Sequence, residues 1–404
     1  MKKQITKLAG LSIAMIMLMA PATACKKEKA TEASSETTTA ATTTTEATTE
    51  ATTTTETSEE VIVEVADPLY DPNNPMAIDP LTGIQDMDPA NVGKRSIGIV
   101  VNNCLEANPS RGTSEAAVIC EYETEGGQTR MLALFADISA VPEIGSIRSA
   151  RQVACDLCGG TNSVFTSWGM DKTRFPGYDT GTGINWINLN NYIAGSYYSS
   201  KEGPVNLTGN VFCWRDKDWK SKRATEHTGV TNGEQLLRAM EYLQYDVNGD
   251  TPRMFNFVPN GTAPMDGATP CSQINVFFSD CNDDALFVYN PEEGVYYKSQ
   301  YNGRPQMDET TNVQIHFTNV FVLYGNVCPR PNDGEGHLDI HFEEGGTGYY
   351  VSYGKIIPIT WSKPTPNDLI HIFDMNGVEI DVNAGKSYIC VVDVDEIDKT
   401  TITP

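Results

Sequence analysis

The chain has 404 residues, 53 acidic against 29 basic side chains, and a formal net charge of −24 at pH 7. So acidic a surface repels DNA, RNA and anionic lipid, which argues against a nucleic-acid partner. The length beyond the first 66 residues is enough for two ordinary hydrophobic cores.

The N-terminus opens with a basic run, Met1-Lys2-Lys3-Gln4-Ile5-Thr6-Lys7, followed by an apolar stretch from Leu8 to Met19 broken by Gly10 and Ser12. That stretch is too short to span a bilayer core of about 30 Å but suits the apolar region of an export signal. It ends in Pro21-Ala22-Thr23-Ala24-Cys25, small residues before a cysteine, with Ala22 where a leucine is more usual. The pattern resembles the lipobox of bacterial lipoproteins and predicts a signal peptide over residues 1–24, cleavage before Cys25 and diacylation of its thiol. Two acyl chains, at about 0.8 kcal/mol per buried methylene, hold a protein firmly on a membrane where one would exchange. Ordinary cleavage after Ala24 with Cys25 incidental is the alternative. Loss of the three signal-peptide lysines leaves 26 basic against 53 acidic residues, a charge of −27.

Residues 25–66 read as a tether. From Thr31 to Glu60 the chain is almost entirely Thr, Ala, Ser and Glu, with no aromatic residue. Such a segment buries too little apolar surface to offset its ordering entropy, so the expectation is a disordered, charge-extended spacer. Its plain role is reach, from a lipid anchor on the outer face of the cell membrane to a folded part beyond it.

Residues 67–250 read as a mixed α/β domain. After a lead-in rich in Asp, Pro and Asn, strands are expected at Ser96–Asn103, Ala116–Tyr122 and Thr129–Ala136, the last two joined at Glu125-Gly126-Gly127. Ser146–Leu157 has helical spacing and closes at Gly159-Gly160. Ser163–Trp168 reads as a strand, and Thr231-Asn232-Gly233-Glu234 opens a helix running to Leu243. Residues 251–404 are a succession of short Val-, Ile-, Tyr- and Phe-rich segments parted by turn residues, such as Asn290-Pro291-Glu292-Glu293-Gly294. The fold class is therefore α+β, a mixed N-terminal domain followed by a mainly antiparallel β-rich one.

Beyond Cys25 there are nine cysteines, an odd number that cannot all pair within one chain. Cys155 and Cys158 have redox or zinc spacing, but no second such pair and no thioredoxin-like strand pattern accompany them. Buried thiols are expected, with Cys271 and Cys281 the nearest partners for any disulfide.

Several segments resemble the YerB-like lipoproteins, the DUF3048 family. They are Asp79-Pro80-Leu81-Thr82-Gly83, Glu125-Gly126-Gly127-Gln128-Thr129-Arg130 leading to Phe135, and Gly145-Ser146-Ile147-Arg148-Ser149-Ala150-Arg151. Further along lie Arg223-Ala224-Thr225-Glu226-His227, Asn319-Val320, Gly346-Thr347-Gly348 and Trp361-Ser362-Lys363. One departure is Glu226-His227-Thr228, where the family often has Pro-His-Asn. The resemblance implies a membrane lipoprotein with an N-terminal and a C-terminal family domain, and it implies no activity.

Candidate chemistry centres on Arg130, Arg148, Arg151, His227 and Glu125. Arg148 and Arg151, three apart near a helix start, would share a face and could grip phosphate or carboxylate with bidentate forks. The structural alternative is an internal ion pair with Glu123 or Glu125, joined by Arg130. His227 beside Glu226 could act as a base, or could be a hydrogen-bonded structural residue. His337, Asp339 and His341 alternate along one strand and could face zinc, although a solvent-facing strand looks the same. Asp246-Val247-Asn248-Gly249-Asp250 starts like a calcium loop but lacks the closing Glu. Rings at Trp168, Trp186, Tyr192, Tyr197, Tyr198, Trp214 and Trp219 could stack on sugars or fill a loop-rich core. No nucleophile elbow, zinc-protease helix or phosphate loop occurs. The expectation is a lipoprotein with neither cofactor nor metal that binds an envelope glycan, an anionic wall fragment or an envelope protein. The alternative is a wall-acting hydrolase or transferase using Glu123 or Glu125 with His227.

Overall fold

The computed structural model describes residues 67–169, the backbone of 192–194, and residues 212–281 and 284–404. The signal peptide, Cys25, the tether, Trp186, Tyr197 and Tyr198 lie outside the described residues, as does the side chain of Tyr192.

The centre of the fold is a mixed sheet of eleven strands. Its principal members are β1 (Ile97–Asn102), β2 (Val118–Glu123), β3 (Thr129–Phe135), β4 (Val164–Ser167), β5 (Tyr192–Ala194), β6 (Asn319–Gly325), β7 (Gly346–Ser352), β8 (Lys355–Ser362) and β9 (Ser387–Asp393). Across the sheet they run β8, β7, β6, β9, β2, β3, β1, β4, β5. The expected boundary near residue 250 does not part this sheet. β9 lies parallel to both β6 and β2, so strands from the two ends of the chain hydrogen-bond side by side. Pairing within β6–β8 and within β1–β3 is antiparallel. The α+β class holds, with few helices and a C-terminal part that is mostly strand.

Alternation along the strands divides the core in two. Val100, Val118, Cys120, Phe321, Leu323, Ile389 and Val391 face a helix, α1 (Gln152–Gly160), together with Phe342 and Trp361. Ile97, Ile99, Val101, Ile119, Val320, Val322, Tyr388 and Cys390 face the other way. That second face is covered by α2 (Gly233–Leu243) and by Ile274, Val276, Phe287 and Tyr296 of a six-stranded sheet. The smaller sheet contains β10 (Gln273–Val276), β11 (Ala285–Asn290) and β12 (Val295–Gln300). A period of two places successive apolar residues on opposite faces, and each fully buried Leu, Ile or Phe contributes about 1.5–3 kcal/mol.

Local chemistry sets the element ends. Asn232 caps α2 by accepting from Gln235 N at 3.0 Å, and Gln244 stops it in the left-handed region at φ 56°. Gly126 and Gly127, at φ 72° and 71°, make the turn between β2 and β3. The expected helix over 146–157 starts late, at Gln152. Residues 146–151 are extended because their backbone is claimed by strands on both sides. Asn102 N donates to Ser146 O at 2.8 Å, Arg148 N to Val100 O at 3.0 Å, and Trp168 N to Arg148 O at 2.9 Å. Arg148 and Arg151 therefore share no helix face.

Candidate functional site

The extended run 146–151 brings three expected site residues into one knot. Glu125 stands at the β2–β3 turn, Arg130 on β3 and Arg151 at the entrance to α1. Arg130 Nη2 donates to Glu125 Oε1 at 2.9 Å, and Arg151 Nε donates to Glu125 Oε2 at 2.8 Å. Arg151 Nη2 also donates to Glu125 Oε1. The remaining donors go inward, Arg130 Nη1 to Ser149 O at 2.8 Å and Arg151 Nη1 to Ala150 O at 2.7 Å. Burial by itself raises the Glu125 pKa, but the Arg151 hydrogen bond and both guanidinium charges bring it down to about 2. Burial, then repulsion from Arg151, lowers Arg130 to about 10. A carboxylate so held stays ionised at neutral pH and has no proton to give as a general acid. Glu123 is a different case. Burial, with the charges of Asp393 and Glu396 behind it, raises its carboxyl to about 7.

Arg148 and His227 form the neighbouring group. His227 Nδ1 lies 2.8 Å from Asn102 Nδ2, at the end of β1, and 3.8 Å from Cys104 Sγ. The Asn102 amide donates there, which leaves the imidazole proton on Nε2, 4.0 Å from Glu226 Oε1. Burial, then the positive charge of Arg148, lowers the pKa of His227 below the ordinary histidine value. The ring is thus neutral at pH 7. Burial raises the Cys104 thiol, the opposite of what an activated nucleophile needs. Asn102 and Cys104 also meet the same ring nitrogen, so they do not form a relay through the imidazole.

Arg148 differs from the other two arginines. Its Nε is buried without a hydrogen-bond partner, and among the described residues its guanidinium makes no hydrogen bond or ion pair. Its charge is nevertheless felt at His227, Cys104, Glu226 and Arg130. Close by, the Arg215 guanidinium stacks on Trp168 at 3.8 Å and donates to Thr225 O at 2.6 Å. Trp219 is buried between Arg111 at 4.1 Å and Arg223 at 4.2 Å, with its Nε1 on Glu309 at 2.7 Å. Trp168 and Trp219 are thus covered by guanidinium planes rather than left open as stacking platforms.

The remaining polar constellations resolve into separate local contacts among the described residues. His337 pairs with Asp333 at 2.9 Å, Asp339 with Arg330 at 3.0 Å, and His341 with Glu343 at 3.0 Å and Cys328 at 3.5 Å. Cys155 and Cys158 are buried in the first core, and among the described residues the cysteines form no disulfide. Cys271 is buried with its Sγ on Gln273 O, whereas Cys281 is exposed beside Gly127, so the two do not pair. In the Asp246–Asp250 stretch the Asp246 carboxylate accepts from its own neighbour, Asn248 N, at 2.9 Å.

The chain matches two family models, "Protein of unknown function (DUF3048) N-terminal domain" over residues 81–246 and "Protein of unknown function (DUF3048) C-terminal domain" over residues 274–389. It is 26% identical over 287 residues to the Bacillus subtilis (strain 168) protein named "Putative lipoprotein YerB", covering 70% of this chain and 77% of that one. The crystal structure of the YerB protein from Bacillus subtilis superposes with a TM-score of 0.64 at 24% identity, covering 80% of this chain and 99% of that chain. At that identity the likeness speaks for the fold.

Proposed function

Taking as premise that this chain belongs to the DUF3048 family, we propose that it is a lipoprotein acylated at Cys25 whose folded part binds an anionic envelope component. The lipobox-like Pro21-Ala22-Thr23-Ala24-Cys25, the Thr/Glu-rich tether and the lipoprotein name of its Bacillus subtilis relative support the anchor and an outward-facing position. The single observation that carries the binding reading is Arg148. Among the described residues its guanidinium makes no hydrogen bond or ion pair, and it sits near a His227 able to donate through Nε2. A guanidinium and an imidazole N–H at one edge suit a phosphate or carboxylate. The Glu125 knot with Arg130 and Arg151 acts as the brace that fixes the extended run carrying Arg148.

A thermal-shift screen of the mature protein against muropeptides, teichoic-acid fragments and phosphosugars tests this reading. A ligand at a hundred times its Kd stabilises the native state by about 2.7 kcal/mol. Stabilisation by one anionic class, lost in Arg148→Ala and partly kept in Arg148→Lys, is the expected result. A full shift retained in Arg148→Ala rules the site out. The anchor is tested separately, by mass spectrometry of the N-terminal peptide beginning at Cys25.

A further inference from the structure

We propose that Cys328 and His341 are two protein ligands of a divalent transition-metal ion of the zinc class. Cys328 belongs to the strand Val327–Pro329, and His341 directly follows its antiparallel partner, Leu338–Ile340. Both supports are fixed. Val327, Ile340 and Phe342 are buried in the first core, and His341 N donates to Asn326 O at 3.0 Å. Cys328 is half-buried and the His341 side chain is 35% exposed, so both reach the surface. His341 and Glu343 also line a cavity of about 290 Å³, which gives an ion a way in.

Geometry and donor chemistry together name the ion. Cys328 Sγ lies 3.5 Å from His341 Nε2. A tetrahedral zinc, bound at about 2.3 Å to sulfur and about 2.0 Å to nitrogen, sets those two atoms about 3.5 Å apart. The other ring nitrogen, His341 Nδ1, lies 3.0 Å from Glu343 Oε1. A carboxylate that accepts the Nδ1 proton leaves the Nε2 lone pair for a metal, which is the support that ligating histidines ordinarily have. Asp339, Asp393 and Glu344 bring negative charge to the thiol. That charge works against a bare thiolate, and so against a catalytic nucleophile. It draws in a cation, whose own charge then holds the thiolate. Sulfur with imidazole suits zinc-class ions, whereas magnesium and calcium take oxygen. On binding, the thiol gives its proton to solvent, and the sulfur and Nε2 lone pairs form the two coordinate bonds. No third histidine, cysteine or carboxylate among the described residues stands with this pair to complete a cage, so water fills the remaining positions.

This site shares no residue with the Arg148 group and does not rest on it. The test is titration of the mature lipidated protein, in detergent and without a polyhistidine tag. Cobalt(II) is the spectroscopic probe and zinc(II) its competitor. A thiolate-to-cobalt charge-transfer band is expected, saturating at one equivalent with the protein at about 100 µM. Zinc(II) displaces it and excess magnesium does not. Cys328→Ser and His341→Ala lose the band and keep the metal-free melting temperature. Glu343→Gln weakens binding about tenfold or more, whereas Cys281→Ser, which removes the exposed thiol, and Arg148→Ala change nothing. In the unmutated chain zinc(II) slows alkylation of Cys328, mapped by peptide mass, but not that of Cys281, a readout that decides the matter where a variant does not fold. No band, a band kept in Cys328→Ser or His341→Ala, displacement by magnesium, or equal protection of Cys281 overturns the proposal. So does an unchanged affinity in Glu343→Gln.

Discussion

Lys298 Nζ lies 3.5 Å from Glu121 Oε2, with both side chains fully enclosed between the central sheet and the smaller one. Glu121 is on β2 and Lys298 on β12, so the pair joins the N-terminal and C-terminal family segments through the protein interior. Tyr388 on β9 donates its hydroxyl to Glu121 at 2.5 Å, and Thr129 and Asn103 donate to the same carboxylate at 2.6 and 2.7 Å. Removing one partner leaves an uncompensated buried charge, at a cost of about 3–5 kcal/mol. Lys298→Met and Glu121→Gln should each show that loss by chemical denaturation. Their combination should cost less than the two losses added, because the second change removes the charge stranded by the first.

The Glu125 knot and Arg148 make opposite demands on stability. Glu125→Ala strands two buried guanidiniums and should cost roughly 3–5 kcal/mol. Arg148→Ala breaks no hydrogen bond or ion pair within the described residues, and it should stay within about 1 kcal/mol of wild type. Denaturation midpoints of the two variants check this. A large loss in Arg148→Ala would make Arg148 a structural residue and remove the ground for an anion site.

Asp79 and Glu123 set a pH dependence with a definite sign. Burial is the largest cause in each case, and it raises both carboxyls to about 7. Their folded-state pKa thus lies above the ordinary carboxylate value of about 4 that the unfolded chain keeps. Between those limits the native state holds more protons than the unfolded one, so this contribution to stability is full below about pH 4 and falls as pH rises through 7. Asp79→Asn keeps an oxygen to accept from Leu81 N, which now donates to Asp79 Oδ1 at 2.7 Å. It should flatten the decline between pH 5 and 8, an interval spanning the folded value of about 7. Melting curves across that interval decide it. Glu125 works in the other direction, since a pKa of about 2 gives stability that is lost only as pH falls below the carboxylate range.

Much of the framework was legible in the sequence because it depends on local pattern. The apolar, β-branched run Ile97-Gly98-Ile99-Val100-Val101, the Glu125-Gly126-Gly127 turn and the helix start at Asn232 each act over a few residues, and each appears where expected. What failed to show depends on distant partners. Helical spacing over 146–151 was real, but the edges of β1 and β4 competed for the same backbone groups and won. Lys298 follows Tyr296-Tyr297 and has the look of a solvent-facing strand residue, yet its partner Glu121 lies on a strand of the other segment. The Glu125–Arg130 contact, five residues apart, was within reach of sequence reasoning, whereas Asn102 and His227 are 125 apart and carry no local mark.

Lys363 supplies a last test of a buried charge. Its ammonium donates to Pro366 O at 3.1 Å and to Asp368 O, holding the 364–368 loop over the end of α1. The same two carbonyls lie where a Cβ on Gly159 or Gly160 would be, so the loop and the glycine pair fit only each other. Burial lowers the Lys363 pKa to about 8, against the attraction of Asp156 and Asp368. An unfolded lysine keeps its proton to about 10.4. Between those values the unfolded state binds more protons, so stability rises with pH and is lost again as pH falls through 8. Wild type should therefore gain stability relative to Lys363→Met from about pH 8 to pH 10. Denaturation at those two values measures the gain, and an unchanged difference would mean that the ammonium remains protonated where it sits.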